Sequence, residues 1–218
     1  MPGRRNKSLS TRQPDWKVLL LGGPSGVGKT IAAKLIGQRF GVSWLEVDDL
    51  RLALQRSRVT FQKDTEALYF FEETPDVWHL PPEHLCKSLI AVGEVVSPAI
   101  EVVVENHVDN STTIVIEGDG ILPSLFARPP VQDRARGGQV RAVFLVEPDE
   151  EALLANMRAR GRGIAGRTEA EQRVEGRTKW LYGQWLVSEA RRYNLPVLEP
   201  RPWTTLVERI IAASNAPI

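Results

Sequence analysis

Lys17-Val18-Leu19-Leu20-Leu21-Gly22-Gly23-Pro24-Ser25-Gly26-Val27-Gly28-Lys29-Thr30 decides how this chain is organised. After the leading lysine it runs apolar and is closed by Gly22-Gly23-Pro24, the pattern of a strand buried on both faces of a parallel sheet. Beyond it, Ile31, Ala32, Leu35, Ile36 and Phe40 recur at helical spacing, and Gly41 ends them as a helix C-terminus prefers. Gly23 to Thr30 matches G-x-x-x-x-G-K-[ST] in full, with the strand before it and the helix after it that this spacing requires.

Such a loop is built to hold phosphate. Glycines let the backbone curl so that successive N–H groups point inward, and the helix N-terminus adds partial positive charge. Gly23, Pro24, Ser25, Gly26, Val27 and Gly28 are therefore candidates for wrapping phosphate oxygens. Lys29 is expected on the β- and γ-phosphates and the Thr30 hydroxyl on Mg²⁺. A chance glycine turn is the alternative, and both flanks argue against it.

Outward from this loop the chain reads as alternating strands and helices. Val42-Ser43-Trp44-Leu45-Glu46-Val47 is a second strand ending at Asp48-Asp49, with a helix expected from Leu50. Strand, helix, strand implies a right-handed crossover and a parallel sheet. Thr112 to Glu117, Val140 to Val146 and Leu195 to Leu198 are three further strands. Leu85, Leu89, Val92, Val96, Ile100 and Val103 form a helical stripe that Pro98 is expected to kink or split near Ser97. Pro148-Asp149-Glu150-Glu151 opens another helix, and Leu206, Val207, Ile210 and Ile211 mark a closing one. The mixed, aromatic stretch from about 55 to 82, with Phe61, Tyr69, Phe70, Phe71 and Trp78, reads as an inserted helical cap.

Composition bounds the function. The chain has 218 residues, 42% hydrophobic and 25% charged, which suits one α/β domain, assigned here to 16–218, with excursions. A net charge of +1 leaves no global field to draw it onto a membrane or long nucleic acid. The longest apolar stretch, Leu89 to Val104, is interrupted by Gly93, Glu94, Ser97, Pro98 and Glu101 and is too broken for a membrane span. Arg4, Arg5 and Lys7 precede a polar run to Pro14, which reads as a disordered basic tail over 1–15. Cys86 is the only cysteine, so an intrachain disulfide is excluded and a cytoplasmic location is expected.

Absent motifs narrow the class. No [NT]-K-x-D sequence occurs, since Thr178-Lys179-Trp180-Leu181 lacks the aspartate, which argues against a guanine-reading switch. No strand ends in Asp-Glu, as remodelling ATPases do. At the end of the second strand, Asp48-Asp49-Leu50-Arg51 lies at the sheet edge where α/β ligands bind. One of Asp48 and Asp49 can take a proton from an attacking hydroxyl, and Arg51 can hold an anionic acceptor group. Simple capping of the next helix is the competing reading. Glu117 and Asp119 in Glu117-Gly118-Asp119-Gly120 can hold a magnesium-bound water or an acceptor hydroxyl, unless they only form a glycine-rich turn.

Between 156 and 180 the charge balance tips. Arg158, Arg160, Arg162, Arg167, Arg173, Arg177 and Lys179 face only Glu169, Glu171 and Glu175. Arg158, Arg160 and Arg162, interleaved with glycines, read as a lid that closes on phosphate, with Arg160 stabilising the transferring group. Arg173, Arg177 and Lys179 read as a solvated helix face. Trp78, His79 and His84 in the cap can contact substrate, but scattered histidines without metal-ligand spacing read as structural.

Taken together these residues resemble the small P-loop kinase superfamily, with gluconate and shikimate kinases, chloramphenicol phosphotransferase, zeta toxins, polynucleotide kinase and 2-phosphoglycerate kinase among its members. The likeness spans about Lys17 to Ile211 and rests on the phosphate loop, on Asp48-Asp49-Leu50-Arg51 and on the arginine lid. Ile114 to Gly118, followed by Ile121-Leu122-Pro123, is most similar to 2-phosphoglycerate kinase. The resemblance implies a P-loop NTPase fold with a five-stranded parallel sheet in order 2-3-1-4-5, flanked by helices, a lid after the fourth strand, Asp48 as base and Arg51 on the acceptor. The expected activity is transfer of the γ-phosphate of ATP, with Mg²⁺, to a hydroxyl of a small anionic acceptor between cap and lid. A nucleoside, nucleotide or polynucleotide kinase and a slowly hydrolysing regulatory module are the alternatives.

Overall fold

Five short strands, β1 (Val18–Gly22), β2 (Ser43–Glu46), β3 (Ile114–Gly118), β4 (Val140–Leu145) and β5 (Val197–Leu198), pair in parallel in the order β2-β3-β1-β4-β5. The computed structural model describes residues 13–57, 65–161 and 163–216. Parallel neighbours need crossovers, and the chain supplies them as α1 (Lys29–Phe40), α2 (Val47–Arg56), α3 (Glu66–Glu73), α4 (Pro82–Asp109), α5 (Pro129–Arg136), α6 (Glu150–Arg160), α7 (Glu169–Arg192) and α8 (Leu206–Ser214). This is the sheet order that the resemblance implied.

The period-two alternation of the strands divides the interior into two layers. Val18 and Leu20 of β1 join Ile114, Ile116, Val140 and Phe144 beneath α4 and α7. Leu19 and Leu21 point the other way, into the layer closed by α1, α6 and α8. Register sets the edge that matters. Gly22 lies opposite Gly118 on one side and Phe144 on the other, so the loops leaving β1 and β3 emerge side by side.

Several expectations need correction. β2 stops at Glu46 and α2 begins at Val47, earlier than the expected start at Leu50. Val47 turns inward because Gly118 leaves room for it; a Cβ on Gly118 would lie 2.6 Å from the Val47 Cβ. α4 is not split at Pro98 but runs as 28 residues. Val92, Val96, Ile100 and Val104 on its buried face hold it against the sheet, and Ser97 Oγ donates to the Gly93 carbonyl at 2.8 Å. The expected lid over 156–180 is largely helical. α6 continues to Arg160, and α7 starts after a capping box in which Thr168 and Glu171 satisfy each other. Only the connection 161–168 lies between these helices.

The expected cap contains α3, packed beside α4, and a single turn at Val77–His79 that lies against α7. Phe61 of the cap, Arg162 of the lid and residues 1–12 of the expected tail lie outside the described residues. Trp16, just past that tail, is buried against Phe40 in edge-to-face geometry. No helix among the described residues is long and apolar enough to cross a membrane.

Candidate active site

The loop between β1 and α1 takes its shape from backbone that side chains disfavour. Gly23 adopts a φ of 140°, and a Cβ there would sit 2.2 Å from the Leu145 carbonyl oxygen. Gly28 caps α1 with a φ of 83°, no side chain caps the helix and no acid occupies its first turn. The first N–H groups of α1 are thus left for a ligand, and the dipole there favours an anion. The architecture is a glycine loop between a buried parallel strand and an uncapped helix, open to a phosphate group.

Lys29 is buried and donates to the Pro24 carbonyl at 2.9 Å and to Asp119 Oδ1 at 2.8 Å. Asp119 also receives Ser25 Oγ at 3.0 Å and Lys179 Nζ at 2.8 Å on Oδ2, while its backbone carbonyl accepts from the Tyr182 hydroxyl. Burial alone would raise the Asp119 carboxyl, but the ammonium groups of Lys179 and Lys29 outweigh it and hold the group well below the usual carboxylate range. A carboxylate here occupies the place beside Lys29 where a phosphate oxygen would lie.

Glu117 shares the cleft with Lys29 and Asp119. Thr30 Oγ1 donates to Glu117 Oε1 at 2.6 Å, and burial pushes the Glu117 carboxyl up against the lowering pull of Lys29 and Thr30. A hydroxyl and a carboxylate at the loop's C-terminal end form the all-oxygen donor set that suits Mg²⁺, which binds few protein ligands and keeps its remaining positions for water and phosphate. Glu117 thus lies beside Thr30, the residue expected on Mg²⁺, whereas the sequence left it between metal and acceptor.

A narrow cleft lined by Ser25, Lys29, Thr30, Asp48, Glu117, Asp119 and Arg160 adjoins a larger cavity of about 310 Å³ under the cap and the 161–168 connection. Ser25, Asp48, Asp119 and Arg160 line both. Asp48 and Asp49 sit in the first turn of α2, whose N-cap is Glu46, so neither acts as the cap. Asp48 looks into both spaces and Asp49 into neither. Arg51 lines the larger cavity, 3.5 Å from Asp48 and with its Nη1 2.8 Å from Gln55 Oε1.

Of the lid arginines, Arg160 reaches the cleft and Arg158 does not. Arg158 Nε donates to Gln172 on α7 at 2.9 Å, and its guanidinium lies 4.0 Å from Glu169. Two residues apart on one helix point to nearly opposite sides, so both could not face the loop. Arg167 lies over the Trp78 ring at 4.3 Å and pairs with Glu175, lining the larger cavity. Arg173 and Arg177 pair with Glu169, Glu151 and Glu150 on the outer face, as expected. Lys179 corrects the reading of that face: it is buried and points at Asp119. Its signal in the sequence was its helical spacing with Glu175, Tyr182 and Leu186, all now on the inner face of α7.

A third hollow opens on the far side of the loop, between Gly26, Gly28, Ile31, Asn156, Ala159, Arg160 and Trp203. Trp203 packs against Gly28, where a Cβ would lie 2.6 Å from its ring. The Asn156 amide nitrogen is buried there with no hydrogen-bond partner. Neither residue was singled out from the sequence, because a lone tryptophan after the last strand carries no motif.

Among solved structures the chain is similar to a gluconokinase from Sinorhizobium meliloti 1021, 17% identical over 93% of both chains with a TM-score of 0.49. It is similar to shikimate kinase from Acinetobacter baumannii, 14% identical over 92% of this chain and 95% of that one, TM-score 0.49. It also resembles the tunicamycin resistance protein of Deinococcus radiodurans, 18% identical over 94% and 96%, TM-score 0.48. No protein-family model matches the chain, and no curated protein matches it in sequence.

Proposed function

We propose that the protein is a phosphotransferase that moves the γ-phosphoryl group of ATP to a hydroxyl of a small molecule. The observation that carries this reading is the meeting of the phosphate cleft with a separate cavity at Ser25, Asp48, Asp119 and Arg160. A hydrolase needs no second chamber; a transferase needs one that opens onto the γ-phosphate.

In this reading the phosphates lie on the N–H groups of the loop and the first turn of α1, with Lys29 on their β- and γ-oxygens. The base and ribose take the hollow beside Trp203, Ile31 and Asn156. Thr30 and Glu117 hold Mg²⁺, which when bound neutralises charge on the phosphate oxygens. Asp48 accepts the proton of the acceptor hydroxyl as its oxygen bonds to the γ-phosphorus. The bond from that phosphorus to the β,γ-bridging oxygen breaks, and its electron pair leaves with ADP. Arg160 supplies positive charge to the phosphoryl oxygens in flight, and the cap and the 161–168 connection exclude water. Arg51, beside Asp48, lines the cavity where one anionic group of the acceptor would lie. ATP as donor and the buried, unpaired thiol of Cys86 support a cytoplasmic reaction.

The test is incubation of the full chain with γ-labelled ATP, Mg²⁺ and pooled metabolites, 2-phosphoglycerate included. Label should pass to a small molecule in the wild type and not in Lys29→Ala, which should remain folded. Basal hydrolysis without label in any acceptor would refute the reading.

A further inference from the structure

The larger cavity has two unlike walls. Ser25, Asp48, Asp119 and Arg160 stand where it meets the phosphate cleft, whereas Leu68, Phe71, Trp78, Leu89, Val92 and Val96 line it away from that cleft, beside Arg51, Arg167, Glu175 and Lys179. Phe71 and Trp78 lie 5.9 Å apart with their rings inclined by 30°, and Arg167 covers Trp78. Leu89, Val92 and Val96 follow one another along the inner face of α4. An acceptor made only of hydroxyls and charges would cover the half-buried Phe71, Trp78 and Leu89 without an apolar contact in return.

The charged groups of the cavity are largely spent on one another. Arg51 stands 3.5 Å from Asp48, Lys179 is 2.8 Å from Asp119, and Arg167 pairs with Glu175, which is itself buried. Capture of a di- or trianionic acceptor calls for cations that point into the space and lack carboxylate partners. Here three of the lining cations face a carboxylate at contact distance.

We infer that the acceptor is an alcohol with an aromatic or branched aliphatic body and no more than one anionic group. Its hydroxyl lies between Asp48 and the phosphate cleft, and its body lies against Phe71, Trp78 and the inner face of α4. The inference rests on the phosphotransferase reading for the step performed, but the class of molecule bound follows from the cavity walls alone. It narrows the anionic acceptor expected from the sequence to one whose affinity comes from apolar burial.

Binding and turnover are to be measured separately on the full chain. The probes are 2-phenylethanol and 2-hydroxy-3-phenylpropanoate on one side, and gluconate, shikimate and 2-phosphoglycerate on the other. Saturation-transfer NMR reports binding and γ-labelled ATP reports transfer. The phenyl compounds should bind and be phosphorylated with kcat/KM at least about tenfold above the polar set, the increment a buried ring provides. Phe71→Ala and Trp78→Ala, at half-buried positions, should each raise the KM for the phenyl acceptors by roughly tenfold or more. Phenyl compounds that bind without being phosphorylated would uphold the acceptor class and refute phosphotransfer. Preferred turnover of gluconate, shikimate or 2-phosphoglycerate, no binding of the phenyl compounds, or binding indifferent to Phe71 and Trp78 would overturn the inference.

Discussion

Lys179, on the inner face of α7, donates to Asp119 Oδ2 at 2.8 Å, while Lys29 of the phosphate loop holds Oδ1 of the same carboxylate at 2.8 Å. One aspartate thus joins the larger cavity to the narrow cleft at the loop. Both lysines are buried and both bind that one carboxylate, with Glu117 also close to Lys29. A nucleotide arriving beside Lys29 brings competing negative charge to the same place.

Asp119→Asn should destabilise the nucleotide-free protein by up to about 3 kcal/mol, because two buried ammonium groups lose their counter-charge. Nucleotide should restore more stability to this variant than to the wild type, which a thermal shift with and without ADP would measure. The pH dependence has a definite sign. A carboxyl held low in the folded state stabilises above its unfolded value of about 3.9, and that stability is lost as pH falls below it. Wild-type stability should therefore drop more steeply than that of Asp119→Asn between about pH 5 and the acid end of the titration.

Asp48→Asn should lower kcat by roughly 10²–10⁴ with nucleotide affinity little changed, the usual contribution of a general base. Asp49→Asn should change kcat by less than about threefold, since its side chain lines neither cavity. The reverse ranking in steady-state assays would shift the base by one position.

Arg160→Ala should reduce kcat much more than it raises KM, because charge on the moving phosphoryl group is met only in the transition state. Arg160→Lys should rescue poorly, as a point charge cannot reproduce the two-pronged contact of a guanidinium. Arg158→Ala and Arg177→Ala, whose side chains are engaged by Gln172 and Glu150, should leave kcat within about twofold. Saturating kinetics on the four variants would check this ordering.

Glu117→Gln should raise the Mg²⁺ concentration needed for half-maximal turnover by at least about tenfold, through loss of a ligand carboxylate. Thr30→Val should act in the same direction. A Mg²⁺ titration at fixed ATP separates this from loss of nucleotide affinity, and an unchanged midpoint in both variants would remove them from the metal site.

How much of this was legible in the sequence depended on whether the relevant contact was local. The strand, glycine loop and helix from Val18 to Phe40 could be read directly, because burial on both faces, positive φ and an uncapped helix start each select residue types within a few positions. The position of Asp48-Asp49 at the sheet edge was equally local, although the shift of the helix start to Val47 came from room left by Gly118, far along the chain.

The amino-acid order by itself determined the phosphate loop and all five strands to within two residues at each end, and it singled out Asp48, Glu117 and Asp119, which line the cleft. Tertiary structure decided which charges meet at the cavities. Lys179 belongs to the site and Arg173 does not because the inner face of α7 is set by the packing of Tyr182 and Leu186 under the sheet. Arg158 and Arg160 separate because a helix continues through them and turns them apart. The apolar stripe of α4 looked like core throughout, and at Leu89, Val92 and Val96 it also lines a cavity. Hydrophobic periodicity records that a face avoids water, and only the fold decides whether the neighbour that displaces the water is protein or ligand.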